Sequence, residues 1–168
     1  LASLPQPPQG VTVNVALVQG GEALNIIPEH ASVTIDVRAI DHDESMFPLV
    51  VVTWTGLASD SDFEAFFAAQ RKLLARNQPY VQIADATNAK VMSSTHRRMI
   101  AEFSEQTSAD AARLCKGTTV IISNAIVRGG MTAVLWIAKL SYPIEVAATF
   151  DEALAIATRW ARGAGLVL

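Results

Sequence analysis

Two hydrophobic periods divide the chain. From Val11 the period is two: Val11, Val13, Val15 and Leu17 alternate with Thr12, Asn14 and Ala16. Beyond Gly20-Gly21, Val33, Ile35 and Val37 alternate with Thr34, Asp36 and Arg38. This predicts half-buried strands at 11–18 and 31–39, separated by a connection that includes Asn25-Ile26-Ile27-Pro28. Two strands alone are unstable in water, so the pair must dock on a larger body or on a second copy. Residues 1–10, with Pro5, Pro7 and Pro8, read as an extended leader.

After Asp41-His42-Asp43-Glu44-Ser45 the pattern changes. Leu49-Val50-Val51-Val52 is a continuous apolar run, the mark of a strand covered on both faces. Ser61-Asp62-Phe63-Glu64 reads as a capping box, with Phe63, Phe66, Phe67, Leu73 and Leu74 at helical spacing behind it. Val81 and Ile83 predict a short strand ending at Asp85. A helix from Ser94 to Leu114 turns Met99, Ile100, Phe103 and Ala111 inward, and Thr119-Val120-Ile121-Ile122 is a second covered strand. Met131, Val134, Leu135 and Ala138 form the stripe of another helix, and residues 143–148 a last strand. Thr149-Phe150-Asp151-Glu152 then caps a final helix with Leu154, Ala157, Trp160 and Ala161 inward. Strand and helix alternating through residues 48–164 predict an α/β fold. It is a mixed sheet of about six strands with four helices, and the N-terminal two-strand hairpin is joined to that sheet. The domain division expected is 1–45 and 46–168.

Composition narrows the function classes. With 168 residues, 51% hydrophobic and 17% charged, the chain has material for one packed domain and is not disordered. A net charge of −3 with 13 Lys+Arg gives no electrostatic footprint for nucleic acid or an anionic membrane. A single cysteine, Cys115, excludes an internal disulfide and a Cys-based zinc site. No apolar run approaches the roughly 18–20 residues of a membrane span, and the first residues lack the basic flank of a secretory signal. A cytoplasmic protein without a cofactor is expected.

Residues 10–40 resemble the lid or dimerisation domain of the aminoacylase/carboxypeptidase family of zinc metallopeptidases. The resemblance rests on Val11-Thr12-Val13-Asn14-Val15, Gly20-Gly21, Ala23-Leu24-Asn25-Ile26-Ile27-Pro28-Glu29 and Ile35-Asp36-Val37-Arg38. It implies that Asn25 and Arg38 descend from a clamp for a substrate carboxylate. It also implies homodimerisation through an edge strand. The family's catalytic half, with its two-zinc ligand set, has no counterpart here, and only His30, His42 and His96 are present. A zinc peptidase is therefore not expected.

Residues 46–165 are similar to the STAS-type regulatory fold of anti-sigma-factor antagonists, through the strand–helix order, Asp85-Ala86-Thr87 and Met92-Ser93-Ser94. This implies a protein partner and a phosphoacceptor serine, either Ser93 or Ser94, served by a partner kinase. Met92-Ser93-Ser94-Thr95-His96 stands where that family has Asp-Ser-Ser-Gly. The two resemblances meet at residues 41–47, where Met46 stands, and Leu1 is not an initiator, so a recombined chain is expected.

Further candidates follow from position. Asp85, Thr87, Ser123, Asn124 and Thr149 fall near the carboxyl ends of parallel strands, where open α/β sheets bind ligands, beside an Arg128-Gly129-Gly130 loop. The same residues are ordinary turn and cap formers. Ser93 or Ser94 likewise either accepts phosphate, favoured by the helix dipole and by Arg97 and Arg98, or caps the helix. Asp41-His42-Asp43-Glu44 reads as a solvated acidic turn, His96 as a solvent-facing helix residue and Cys115 as a structural thiol. Trp54, Trp136 and Trp160 read as packing residues. The expected function is a non-enzymatic STAS-like interaction domain. The alternatives are a small-ligand site at the rim near Asp85 and Asn124, or a carboxylate-binding remnant at Asn25 and Arg38.

Overall fold

In the computed structural model, residues 11–20, 31–129 and 141–168 are described. The elements are β1 (Val11–Gly20), β2 (Ala31–Asp43), β3 (Leu49–Gly56), α1 (Asp60–Ala75), β4 (Tyr80–Ala89), α2 (Ser94–Leu114) and β5 (Cys115–Ile121). A helical stretch at 125–129 (α3), β6 (Ile144–Ala147) and α4 (Phe150–Gly163) complete them. The six strands lie side by side in chain order. β1–β2 and β2–β3 are antiparallel, whereas β3 to β6 are parallel. The mixed six-stranded sheet expected from the sequence is present. The apolar stripe from Met131 to Ala138, with Trp136, lies outside the described residues.

Burial of β3 on both faces explains its unbroken apolar run. Leu49 packs with Val81, Ile83, Ile121 and Ala147 under Ala153, Ala157 and Ala161 of α4. Val50 and Val52, one step along, face the other way into Leu73 of α1, Tyr80, Leu114 of α2 and Cys115. Helices α1 and α2 thus cover one face and α4 the other. Each fully buried Val or Leu contributes about 1.5–3 kcal/mol relative to exposure. These two clusters hold the layers together.

Local details differ from the sequence expectation in four places, each with a physical reason. First, the cap of α1 is Ser59, not Ser61. The Ser59 amide donates to Asp62 Oδ2 at 2.7 Å, and the Asp62 amide donates to Ser59 Oγ at 3.3 Å. Ser59 and Ser61 both have an acidic residue three positions on, and the earlier box leaves Phe63 fully buried. Second, β4 does not end at Asp85. Thr53 pairs with Asp85 but Thr55 pairs with Asn88, so β4 carries one extra residue, and the Thr87 amide donates to Asp85 Oδ1 at 2.9 Å. Third, Leu154 is not an inward residue of α4. The buried row is Ala153, Ala157 and Ala161, four residues apart, while Leu154 is partly exposed on the flank. Small side chains let α4 lie close on the sheet. A Cβ added at Gly117 of β5 would stand 2.1 Å from Trp160 Cε3.

Fourth, β2 extends to Asp43, further than predicted, and serves two partners along different lengths. Its residues Ala31 to Ala39 pair with β1, and Ala39 to Asp43 pair with β3. Only Ala39 pairs with both. Residues 31–38 therefore run past Thr55, beyond the carboxyl end of β3, as a two-stranded ribbon about 27 Å long at 3.4 Å per residue. The register sets Val13 opposite Val37, Val15 opposite Ile35 and Val18 opposite Val33. At the other end of β2, Asp41 and Asp43 are exposed. His42 is instead largely shielded, with Nδ1 3.5 Å from Glu44, and Glu44 pairs with Arg76 at 2.6 Å. The acidic turn is thus solvated only in part.

Candidate functional site

The carboxyl ends of β3, β4 and β5 converge where α1 and α2 begin, and the ribbon of β1 and β2 extends past that edge. Most of the polar residues predicted there spend their hydrogen bonds on the chain itself. Ser93 is the N-cap of α2, accepting the His96 amide at 3.1 Å. Ser94 is the first residue of that helix and is exposed. Arg97 Nη1 donates to the Met92 carbonyl at 2.7 Å, and Arg98 pairs with Glu102 at 3.6 Å. Asp85 is occupied with the Thr87 amide. Asn124 Oδ1 accepts the Ile126 and Val127 amides at 2.9 and 3.1 Å, capping α3. Arg128 lies in α3 rather than in a loop, with Nη1 donating to the carbonyls of Ile122 and Ser123. Thr149 caps α4 through the Glu152 amide. Asn25 lies outside the described residues, and Arg38 stands in β2 opposite Thr12.

His96 overturns its sequence expectation. It is only 9% exposed, not solvent-facing. Its Nε2 lies 2.8 Å from Asp60 Oδ1, which ties the first turn of α2 to the first residue of α1. Because a carboxylate only accepts, Nε2 carries a proton and donates. Nδ1 is buried without a hydrogen-bond partner among the described residues. The imidazole packs on Phe63 at a centroid distance of 4.5 Å, at one end of an aromatic cluster of Trp54, Phe63, Phe66, Phe67 and Phe103. The sequence signal for this is slight. Asp60 and His96 are 36 residues apart, and only the two adjacent helix starts bring them together.

Between α2 and the sheet lies a cavity of about 230 Å³, walled by Trp54, Ala84, Ala86, Val120, Met92 and His96. Further back, the face under α1 and α2 carries Val50, Val52 and Tyr80. Here the strands offer alanine and Gly56, and the space stays open. Leu57 and Met92 also line it while remaining 39% and 37% exposed. Val91, Ile126 and Val127 add exposed apolar side chains on the neighbouring loop and helix start. The thiol of Cys115, by contrast, is buried and its pKa is raised, chiefly by desolvation and despite the Thr118 hydroxyl nearby. It is no nucleophile at neutral pH. Among the described residues, no three or more His, Cys, Asp or Glu side chains gather as a metal-binding group. Among the same residues, no helix is long and apolar enough to cross a membrane.

A mixed sheet whose antiparallel N-terminal strands continue into parallel strand–helix units is the SpoIIAA-like, or STAS, fold. The crystal structure of an uncharacterized DUF3478-family protein from Shewanella loihica PV-4, described as having a SpoIIAA-like fold, superposes with a TM-score of 0.54. The identity is 10%, over 92% of this chain and 99% of that one. An anti-sigma factor antagonist from Mycobacterium paratuberculosis aligns with a TM-score of 0.45 and 15% identity, over 71% of this chain and 93% of its own. Residues 1–46 match the peptidase dimerisation domain family. No curated protein matches the sequence.

Proposed function

We propose that the chain is a non-enzymatic STAS-like interaction domain, residues 46–168, carrying an N-terminal pairing segment, residues 1–45, that joins it to a second copy. The observation that carries this is the ribbon. One edge of β1 and the edge of β2 at 31–38 lack a strand partner among the described residues, and a two-stranded ribbon does not stand alone in water. Pairing between two β1 edges about a two-fold axis satisfies the open backbone groups of β1. The match of residues 1–46 to a peptidase dimerisation domain supports the same use. That match stops at the turn between β2 and β3, at the boundary of the two proposed segments. Ser94, exposed at the start of α2, is the serine a partner kinase reaches; Ser93 is engaged as the cap.

Light scattering coupled to size exclusion tests the pairing. The full chain should elute at twice its 18.0 kDa mass. A Val13→Lys, Val15→Lys variant, which places charge on the edge strand, should elute at the single-chain mass with an unchanged circular dichroism spectrum. A wild-type chain that is monomeric at 100 µM (on the order of a hundred times a micromolar dissociation constant) would refute the proposal.

A further inference from the structure

Among the described residues, the N-terminal strands are held in the sheet by one short junction. Ala39 to Asp43 of β2 pair with Thr55 to Val51 of β3, and before Ala39 the ribbon pairs within itself. A titratable ring sits inside that junction. His42 lies opposite Val52, and its side chain is 8% exposed. Ile40, two positions back on the same face of β2, packs into the cluster of Val50, Val52 and Leu74, so the imidazole lies on the side of the sheet that α1 covers. Its Nδ1 is 3.5 Å from Glu44 Oε1, while Nε2 is buried and has no hydrogen-bond partner among the described residues. An imidazolium carries N–H on both nitrogens. Neutral His42 therefore fits this place, and the cation leaves a buried donor without an acceptor.

The charges around the ring do not reverse this. Desolvation outweighs the pull of Glu44 and Asp41 toward the cation, Arg76 at the end of α1 opposes them, and the pKa falls below 6.5. Glu44 is already shared with Arg76 at 2.6 Å. Asp43 is exposed and accepts the Ser45 amide, and Arg71 and Lys72, the other cations near that end of α1, are exposed. Across from the ring β3 offers Val51, Val52 and Thr53, none of which titrates. With the closed-state pKa depressed, the open junction binds the proton more tightly than the closed one, so closure weakens as pH falls below 6.5. We propose that His42 is an acid-operated latch: a proton taken up by its ring parts Ala39–Asp43 from β3 and releases the N-terminal strands while the body from β3 onward stays folded. Opening leaves both hydrophobic clusters in place, since of their residues only Ile40 belongs to β2. The latch acts whether or not β1 pairs with a second copy.

Amide hydrogen exchange of the full chain, resolved by residue and corrected for the intrinsic exchange rate, tests this at about pH 7 and about pH 5, the lower value staying above the ordinary carboxylate range. Protection of the amides that bond β2 to β3 across 39–43 and 51–55 should fall by about tenfold, with a ceiling of about thirtyfold set by the one and a half pH units below 6.5. Amides that bond β4 to β5 should keep their protection. His42→Gln, neutral at both pH values, should remove the difference while retaining the wild-type circular dichroism spectrum. If that variant does not fold, His42→Asn takes its place, and the comparison of the junction with β4 and β5 within the wild-type chain needs no variant. Unchanged protection at the junction, an equal loss in β4 and β5 (the mark of whole-chain unfolding), or a loss that persists without His42 would each overturn the proposal.

Discussion

Replacing Gly117 by alanine should reverse its effect according to what stands at position 160. Gly117 is not in the left-handed region, so alanine meets no backbone penalty there. Shortening the list of unfolded conformations would by itself stabilise the fold by about 0.4–1 kcal/mol. The added Cβ, however, lands 2.1, 2.3 and 2.6 Å from three atoms of the Trp160 ring, where carbon atoms prefer about 3.5–4.0 Å. The ring must retreat by more than an ångström (roughly the shortfall from that preferred contact). It is packed against the cluster formed by Ala153, Ala157, Ala161 and the strands. Overpacking of this kind costs about 1–3 kcal/mol. The two effects together leave Gly117→Ala destabilised by about 1.3 kcal/mol, a fall in melting temperature of about 3–5 °C for a chain of this size. In a Trp160→Ala background the obstacle is gone, and the same substitution should raise stability by about 0.5 kcal/mol. Urea unfolding of the four proteins, followed by circular dichroism, gives the coupling energy directly. A neutral Gly117→Ala, or a coupling below about 0.5 kcal/mol, would refute the close approach of α4 to β5.

Three smaller predictions accompany it. Ser93→Ala, which removes the cap of α2, should cost about 1 kcal/mol in urea unfolding, while Ser94→Ala should stay within about 0.5 kcal/mol. His42 has its pKa lowered from 6.5, chiefly by burial, with Glu44 and Asp41 opposing and Arg76 assisting. The unfolded chain therefore takes up the proton first, and stability should be lost progressively as pH falls below 6.5 toward the lower folded value; His42→Leu should flatten that slope. Ellman's reagent at pH 8 should leave Cys115 unmodified in the folded chain and titrate one thiol per chain in urea, since burial raises its pKa.

The parts of the fold that were legible in the sequence are those where one signal dominates. Leu49-Val50-Val51-Val52 announced a strand covered on both faces, and both clusters converge on it. The helix predicted from Ser94 to Leu114 has those bounds in the structure. Signals that occur twice were misassigned, as with the capping pairs beginning at Ser59 and Ser61. The reach of β4 past Asp85 depends on one carboxylate satisfying the amide of Thr87, which composition does not disclose. The candidate site was the least legible part. His96 looks polar beside Arg97 and Arg98, and only the meeting of two helix starts shows that it is buried against Phe63 and held by Asp60. The cavity is a matter of what small residues leave unfilled, and Ala84 and Ala86 read in a sequence as ordinary strand positions.

The division of β2 between two partners has a mechanical consequence. Val11 pairs with Ala39, at the root of the ribbon, and Gly20 pairs with Ala31 at its tip. Tension applied at the amino end of β1 therefore opens the ribbon one rung at a time from the root outward, and each rung breaks without straining the next. Among the described residues β1 hydrogen-bonds to the sheet through β2, so the ribbon opens before the parallel strands β3 to β6 are drawn apart. A pull on the N-terminus should give a low, drawn-out force signature for the ribbon, well separated from the abrupt rupture of the body behind it.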